Sequence, residues 1–278
     1  MGNPLFIIKD LVCAYKRGND VLRIPYLEIP KNRFTVLIGK SGSGKSTFLE
    51  TLGLMNNTIK SGDVLFFPEE QTSPISFREL WTKKNMSLLA KIRRDHFSFI
   101  FQDTNLMPNF TAYENACLSQ MIQGVPLVIA MENVKAVMQS INLGDVAEWK
   151  NVVELSGGQK QRLAFVRAVT PAFSVLFGDE PTGNLDEYNS DDLMLSLHSN
   201  IQKHGTSTII VSHNVPLSVK YAEVIILLTK KGSSEKYIEI KTDQIYQRLP
   251  TTNNWVNAKM EEIPVFVEKI QSALRSDH

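Results

Sequence analysis

Cysteine is scarce in this chain: Cys13 and Cys117 are the only two in 278 residues, far apart and without ligand-like spacing. Both are expected to be buried thiols in a reducing compartment, which leaves no disulfide framework to organise the fold. Long apolar runs are missing as well. A membrane-spanning helix takes roughly 20 apolar residues, and the nearest candidate, Val224 to Thr229, suits a buried strand. The first residues, Met1-Gly2-Asn3-Pro4-Leu5-Phe6, lack the basic start and apolar segment of a secretory signal. Phe6 also stands where an N-myristoylation pattern needs Ser or Thr. Charge of one sign is absent too. The formal net charge is +1, so no global field argues for nucleic acid, and none is expected as a partner. Internal repeats and low-complexity tracts are also missing. A cytoplasmic chain is expected, one that serves a membrane only by docking onto another chain.

What is present is ordinary for a soluble globular protein, with 43% apolar and 21% charged residues. The length suits one large α/β domain or two modest ones. Leu5 to Val12 and Val21 to Ile29 read as a strand pair across the turn-like Lys16-Arg17-Gly18-Asn19-Asp20. Phe34 to Ile38 is the short apolar run of a strand buried on both faces, followed by glycines and a helix over Thr47 to Leu52. From Pro68 to His96 the chain is polar, and Lys83-Lys84 and Lys91 to Arg94 mark a solvated helical face. Phe97 to Phe101, Val175 to Phe177 and Thr208 to Val211 are further buried strands. Thr111 to Asn142 turns helical, with Leu127, Met131, Val134, Val137, Met138 and Ile141 at core positions. Glu223 to Ile240 reads as a hairpin around Lys231-Gly232-Ser233-Ser234, and Glu261 to Arg275 as an amphipathic helix with Ile263, Phe266, Ile270 and Leu274 apolar. Buried strands alternating with helices predict an α/β fold with a mostly parallel sheet covered on both faces.

The chemistry begins at Gly39-Lys40-Ser41-Gly42-Ser43-Gly44-Lys45-Ser46, which fits the G-x-x-x-x-G-K-[ST] phosphate loop at every fixed position. Glycines there let successive backbone N–H groups turn inward as an anion nest, and the helix starting near Ser46 adds its positive end. Lys45 is placed to reach the β- and γ-phosphates of ATP, and the Ser46 hydroxyl to ligate Mg²⁺. Val175-Leu176-Phe177-Gly178-Asp179-Glu180 places two carboxylates at the end of a buried strand, the ligand edge of a parallel sheet. Asp179 can hold Mg²⁺ through water, and Glu180 can orient or deprotonate an attacking water. Leu155-Ser156-Gly157-Gly158-Gln159 opens a helix running to Val169 and forms a second small anion nest. Within one chain it duplicates an existing site, so it makes sense closing over the γ-phosphate bound to a second subunit.

With these motifs in this order, the chain resembles the nucleotide-binding subunit of an ATP-binding-cassette (ABC) transporter over approximately residues 5 to 232. The resemblance implies a P-loop NTPase fold: a RecA-like core, an N-terminal antiparallel β subdomain and an inserted α-helical subdomain over about 103–168. The cassette would cover 1–240, and 241–278 would be a C-terminal extension that the family does not explain. It further implies that Tyr15 stacks on adenine, that Gly39 to Thr47 is the Walker A loop, and that Gln102 senses Mg²⁺ and the attacking water. By the same resemblance Leu155 to Gln159 is the signature motif, Val175 to Asp179 the Walker B strand and Glu180 the catalytic carboxylate. Asn184-Leu185-Asp186 would be the D-loop, and His213 the switch histidine at the γ-phosphate.

Phe101 to Pro108 leading into Thr111 to Asn115, and Glu180-Pro181-Thr182-Gly183-Asn184-Leu185-Asp186, resemble the ATPases of lipoprotein-releasing, macrolide-exporter and cell-division systems. Departures are Val153-Glu154 where a proline is usual, Gly178 before Asp179, and Phe165-Val166-Arg167. The resemblance implies two copies closing around two ATP and a separate integral-membrane permease, through which the chain would sit peripherally on the cytoplasmic face of the inner membrane. Leu106, Met107 and Phe110 are either contacts for that permease or internal packing. The tail helix either braces the dimer, docks on the permease or is a packed appendage. The alternatives are a soluble, non-transport ABC ATPase and a regulatory binder that does not hydrolyse nucleotide.

Overall fold

The chain opens with two long antiparallel strands, β1 (Pro4–Ala14) and β2 (Asp20–Pro30), paired as the alternation predicts. The computed structural model describes residues 3–15, 18–69, 73–146, 150–183, 185–229 and 237–275, so Lys16 and Arg17 of the expected turn lie outside the described residues. Next come β3 (Phe34–Gly39), buried along its whole length, and α1 (Lys45–Leu52). β4 (Ile59–Phe66) returns to pair with β1, and β5 (Ile75–Ser76) pairs with β4. The polar stretch that follows holds α2 (Phe77–Thr82) and α3 (Met86–His96). Its outer face is solvated as expected, while Phe77, Leu80, Leu89 and Ile92 are buried beneath it.

Strand β6 (Phe97–Ile100) is followed by α4 (Ala112–Ile122) and α5 (Leu127–Ser140). A capping box starts α4, with Thr111 and Glu114 each bonding the other's backbone N–H. Pro126 separates the two helices, because its fixed φ and missing N–H suit a helix start and not an interior. Of the expected core positions here, Val134, Met138 and Ile141 are buried, but Leu127 is exposed: it is the first residue of α5, beyond the packed turn. The chain then continues through α6 (Gly157–Val169), β7 (Val175–Asp179), α7 (Glu187–His204), β8 (Ser207–Val211), α8 (Val215–Tyr221) and β9 (Val224–Leu228).

The expected hairpin over Glu223 to Ile240 does not form. β9 joins the large sheet beside β3, whereas β10 (Ile238–Glu239) pairs parallel with β2 in the other sheet. A strand such as β9, apolar on both faces, is stable in the middle of a covered sheet and not in a two-stranded ribbon. Lys231 to Ser234, the expected turn, lie outside the described residues. The tail adds β11 (Ile245–Arg248) and β12 (Trp255–Val256), which extend the large sheet antiparallel from β9. Its helix, α9 (Phe266–Arg275), starts later than the apolar spacing suggests, since Val265 just before it has φ 53°, outside the right-handed helical region.

The result is an α/β fold with a five-stranded sheet, β10-β2-β1-β4-β5, and a seven-stranded sheet, β12-β11-β9-β3-β8-β7-β6. Strands β9, β3, β8, β7 and β6 run parallel. Phenylalanines bind the two sheets together: Phe66 of β4 meets Phe97 of β6 edge-on at 5.1 Å, and Phe6 of β1 lies 6.4 Å from Phe177 of β7. On the opposite face the large sheet is covered by a second apolar core that includes α4 to α9. Gly178 answers one departure from the family pattern. A Cβ there would stand 2.8 Å from Ile210 Cγ2 on the neighbouring strand. Gly178→Ala is therefore expected to cost about 1–3 kcal/mol through overpacking, seen as a lower midpoint in denaturant; an unchanged midpoint would show that β8 yields freely.

Candidate functional site

The turn between β3 and α1 is built for close approach of an anion. At Gly39 a Cβ would meet the Leu228 carbonyl oxygen at 2.5 Å and Ser43 Oγ at 2.6 Å. Gly42 and Gly44 take φ values of 73° and 74°, which glycine adopts without strain. Inside the loop, Ser43 Oγ and Lys40 Nζ are buried with no protein hydrogen-bond partner among the described residues. Buried polar groups are ordinarily paired, so these two mark the loop as a place where a ligand supplies the acceptors. Lys45 is only 5% exposed and folds back over the loop, donating from Nζ to the carbonyls of Gly39 (2.8 Å) and Lys40 (2.7 Å). Burial presses its ammonium below the usual lysine range, while the Glu180 and Asp179 carboxylates oppose that shift.

Strands β3, β8, β7 and β6 are neighbours and parallel, so their carboxyl ends share one edge of the sheet. Open α/β sheets bind ligands at that edge. Gly39, Asp179 and the residues after Val211 and Ile100 therefore converge, although they are far apart in sequence. Burial raises the pKa of Asp179, and a hydrogen bond from the Ser46 side chain works against it. Ser46 is exposed, so the pair offers hard oxygen ligands at the mouth of the loop.

Glu180 leaves β7 with φ 48°, an unusual conformation for a side chain of its size. Its backbone N–H donates to the Val211 carbonyl at 3.1 Å. The same turn brings Glu180 Oε1 within 2.7 Å of His213 Nε2. Residues held in left-handed backbone conformations cost about 1–3 kcal/mol and cluster at functional sites. Tyr15 lies at the far end of the loop, 51% exposed, with its hydroxyl 3.0 Å from Thr47 Oγ1. Gln102, just beyond β6 on the same edge, is exposed, as is Ser41 in the loop.

The second anion nest is not gathered into this constellation. Ser156 caps α6 through a capping box with Gln159: Gln159 N–H donates to Ser156 Oγ (3.2 Å), and Ser156 N–H to Gln159 Oε1 (2.9 Å). Ser156 and Gly157 are exposed, and a Cβ on Gly157 would meet nothing within 4 Å. At Gly158 the nearest atom is Leu185 Cδ2, 3.9 Å away, and neither glycine has a positive φ. Asp186 caps α7, accepting from the backbone of Asn189 at 2.9 Å and from its amide at 2.6 Å, bonds that hold its carboxyl below the usual range. Asn184 lies outside the described residues.

Two side chains with no motif of their own join these parts. Gln161 of α6 donates to the Pro181 carbonyl at 2.9 Å, tying the nest helix to the turn after Glu180. Arg167 of the same helix donates to the carbonyls of Thr104 (2.8 Å) and Asn105 (2.7 Å), just after Gln102. In sequence Gln161 is an ordinary polar residue of an amphipathic helix, and Arg167 is noted only as the end of Phe165-Val166-Arg167, with no signal for these contacts. The two cysteines are buried and free, and burial pushes Cys117 up to about 11, which leaves it a thiol at neutral pH.

The ABC transporter family pattern matches residues 22–183, more than half of the chain. This chain belongs to the ABC transporter ATPase family. The lipoprotein-releasing system ATP-binding protein LolD of Paramagnetospirillum magneticum is 34% identical over 228 residues, covering 81% of this chain and 96% of that protein. The macrolide export ATP-binding/permease protein MacB of Shigella sonnei is 29% identical over 250 residues, which span 89% of this chain but 35% of that longer protein. Among solved structures, the dimeric bacterial ABC transporter cassette MJ0796 superposes with a TM-score of 0.70 at 27% identity, covering 84% of this chain and 94% of that one. A second structure of that cassette is a post-hydrolysis dimer bound to ADP and Pi, with a TM-score of 0.69 at 25% identity. The P-loop NTPase fold, the ABC identity and the likeness to the lipoprotein-releasing and macrolide-export ATPases thus agree with the sequence. Among the described residues no helix of this ABC ATPase is long and apolar enough to cross a membrane.

Proposed function

We propose that this ABC ATPase works as a pair of identical chains, closed head to tail around two ATP, and drives a separate membrane permease. The observation that carries the pairing is the glycine pair at the start of α6, with Gly157 exposed and Gly158 half-buried. Neither backbone conformation nor any neighbour in the chain demands glycine at 157 or 158. A demand for small residues there comes from something that approaches from outside, and a helix N-terminus with free N–H groups suits a phosphate. Ser156, Gly157, Gly158 and Gln159 would meet the γ-phosphate held by the partner's loop, with Asp186 alongside. Gly157→Val has room in the isolated chain, so it should fold and bind ATP yet lose turnover by on the order of 10²-fold. Steady-state phosphate release with a parallel nucleotide titration tests this; a fully active variant would remove the nest from the site.

Within each half-site the roles follow from position. Tyr15 would stack on the adenine, and the loop from Gly39 to Thr47 would wrap the phosphates. Ser46 and Asp179, with Gln102 completing the shell, would hold Mg²⁺. When bound, that ion neutralises charge on the phosphates and orients them. Glu180 would take a proton from the attacking water, and His213, already on its carboxylate, would help hold the γ-phosphate. Phosphoryl transfer depends mainly on such placement and on electrostatics.

A permease contact is supported by the surface between the large sheet and the helical subdomain. A cavity of about 430 Å³ there is lined by Met55, Phe99, Phe101, Leu118, Ile122 and Arg167 among others. Beyond Gln102, Met107 and Phe110 stay exposed, while Leu106 packs against the core. Docking there would place the chain peripherally on the cytoplasmic face of the inner membrane. Phe110→Asp should leave the ATPase rate of the isolated chain unchanged and abolish co-purification of the permease; retained co-purification would move the contact elsewhere.

A further inference from the structure

The tail beyond residue 240 is the part of the chain that the nucleotide site does not use; it pairs with β9 through β11 and packs on α8 through α9. Arg248, at the end of β11, donates from Nη1 to the Lys220 carbonyl at 3.1 Å and from Nη2 to the Val219 carbonyl. Both carbonyls belong to the last turn of α8, where helices leave acceptors unsatisfied. The guanidinium lies over the Trp255 ring at 5.0 Å, Trp255 stacks on Phe266 at 4.4 Å, and Phe266 meets Tyr246 edge-on at 5.1 Å. Helix α9 packs on α8, with Phe266 and Ile270 buried. Burial lowers the pKa of Arg248, with the Glu223 carboxylate opposing, so its charge is held in a half-buried seat.

At its other end α8 carries the switch histidine. Asn214 caps the helix by accepting from Leu217 N–H at 3.0 Å, and its own N–H donates to Ser212 Oγ at 3.1 Å. His213 is thus held between the end of β8 and the start of α8, 2.7 Å from Glu180. We infer that Arg248 is a positioning residue for hydrolysis: by clamping the C-terminus of α8 it sets the seat of His213 against Glu180. A helix of this length spans roughly 10 Å, so a tilt of about 5° at the clamped end moves the histidine end by roughly 1 Å. Displacements of that size in an active site can lower rates by as much as about 10²-fold. The tail is then part of the catalytic geometry and not an appendage.

The inference rests on the proposed role of His213, so the test is a double-mutant cycle in the full chain. Single-turnover hydrolysis keeps slow variants measurable. Arg248→Ala is expected to lower the hydrolysis rate roughly tenfold with ATP affinity within about twofold of wild type. Arg248→Lys, which keeps the charge but has one nitrogen in place of the two-pronged guanidinium, should recover part of that loss. In a His213→Ala background, Arg248→Ala should cost less than about twofold further. Arg248→Gln serves the same cycle should the alanine variant not fold. An equal loss in both backgrounds, or no loss in either, would overturn the tail's role while leaving His213 in place. A fully active His213→Ala protein would instead overturn the histidine's role, and this inference with it.

Discussion

Glu180→Gln is expected to bind ATP as the wild type does and to hydrolyse it on the order of 10²–10⁴-fold more slowly. Glutamine keeps the size of the side chain and can keep a contact with His213. What it loses is the ability to accept a proton from water. The unusual backbone at Glu180, φ 48°, arises from the turn and its bond to Val211, so the variant inherits the same geometry. The expected defect is therefore confined to the chemical step. Phosphate release, measured beside a nucleotide titration, checks both halves. A turnover within a few-fold of wild type would remove Glu180 from the role of general base.

Lys45→Ala should fail earlier, at binding. The Lys45 ammonium is buried and donates to the carbonyls of Gly39 and Lys40. Phosphate oxygens are stronger acceptors, and their charge favours the ammonium that burial disfavours. Truncating one partner of a buried, hydrogen-bonded charge pair costs about 2–5 kcal/mol, so ATP affinity should fall roughly 10²-fold or more. The comparison with Lys40 is informative, because its Nζ is buried without a hydrogen-bond partner among the described residues. Isothermal titration with ATP reads the loss, and far-UV dichroism confirms that the chain remains folded. Unchanged affinity would contradict the placement of the phosphates in this loop.

Much of the fold was legible because the decisive strands are apolar on both faces. Phe34 to Ile38, Val175 to Phe177 and Thr208 to Val211 can only be stable inside a covered sheet, and the glycines after Ile38 fix the turn that follows. The same signal misled at Val224 to Leu228. Apolarity says that a strand is buried but not which strand is beside it, and the pairing of β9 with β3 is a long-range choice. Tail strands β11 and β12 were invisible for a related reason: they are short, and they are held by an existing sheet edge more than by their own pattern.

The site shows the same division. Motifs such as Gly39 to Ser46 and Leu155 to Gln159 are contiguous, so local spacing alone suggests their chemistry. His213 and Glu180 come together only because β8 and β7 are neighbours. The tie from Gln161 to Pro181 and the clamp from Arg248 to α8 depend on tertiary geometry alone. Even the structure of one chain leaves the glycine pair at 157 and 158 without an internal cause, and the proposed second copy would supply one.

The mass of the Glu180→Gln chain in solution, with and without ATP and Mg²⁺, tests that last point most directly. Light scattering should show one chain without nucleotide and two with it. Adding Gly157→Val should return the nucleotide-bound protein to one chain while ATP remains bound. A single-chain mass at saturating ATP, or a doubled mass that Gly157→Val does not disturb, would contradict a site completed by a second copy.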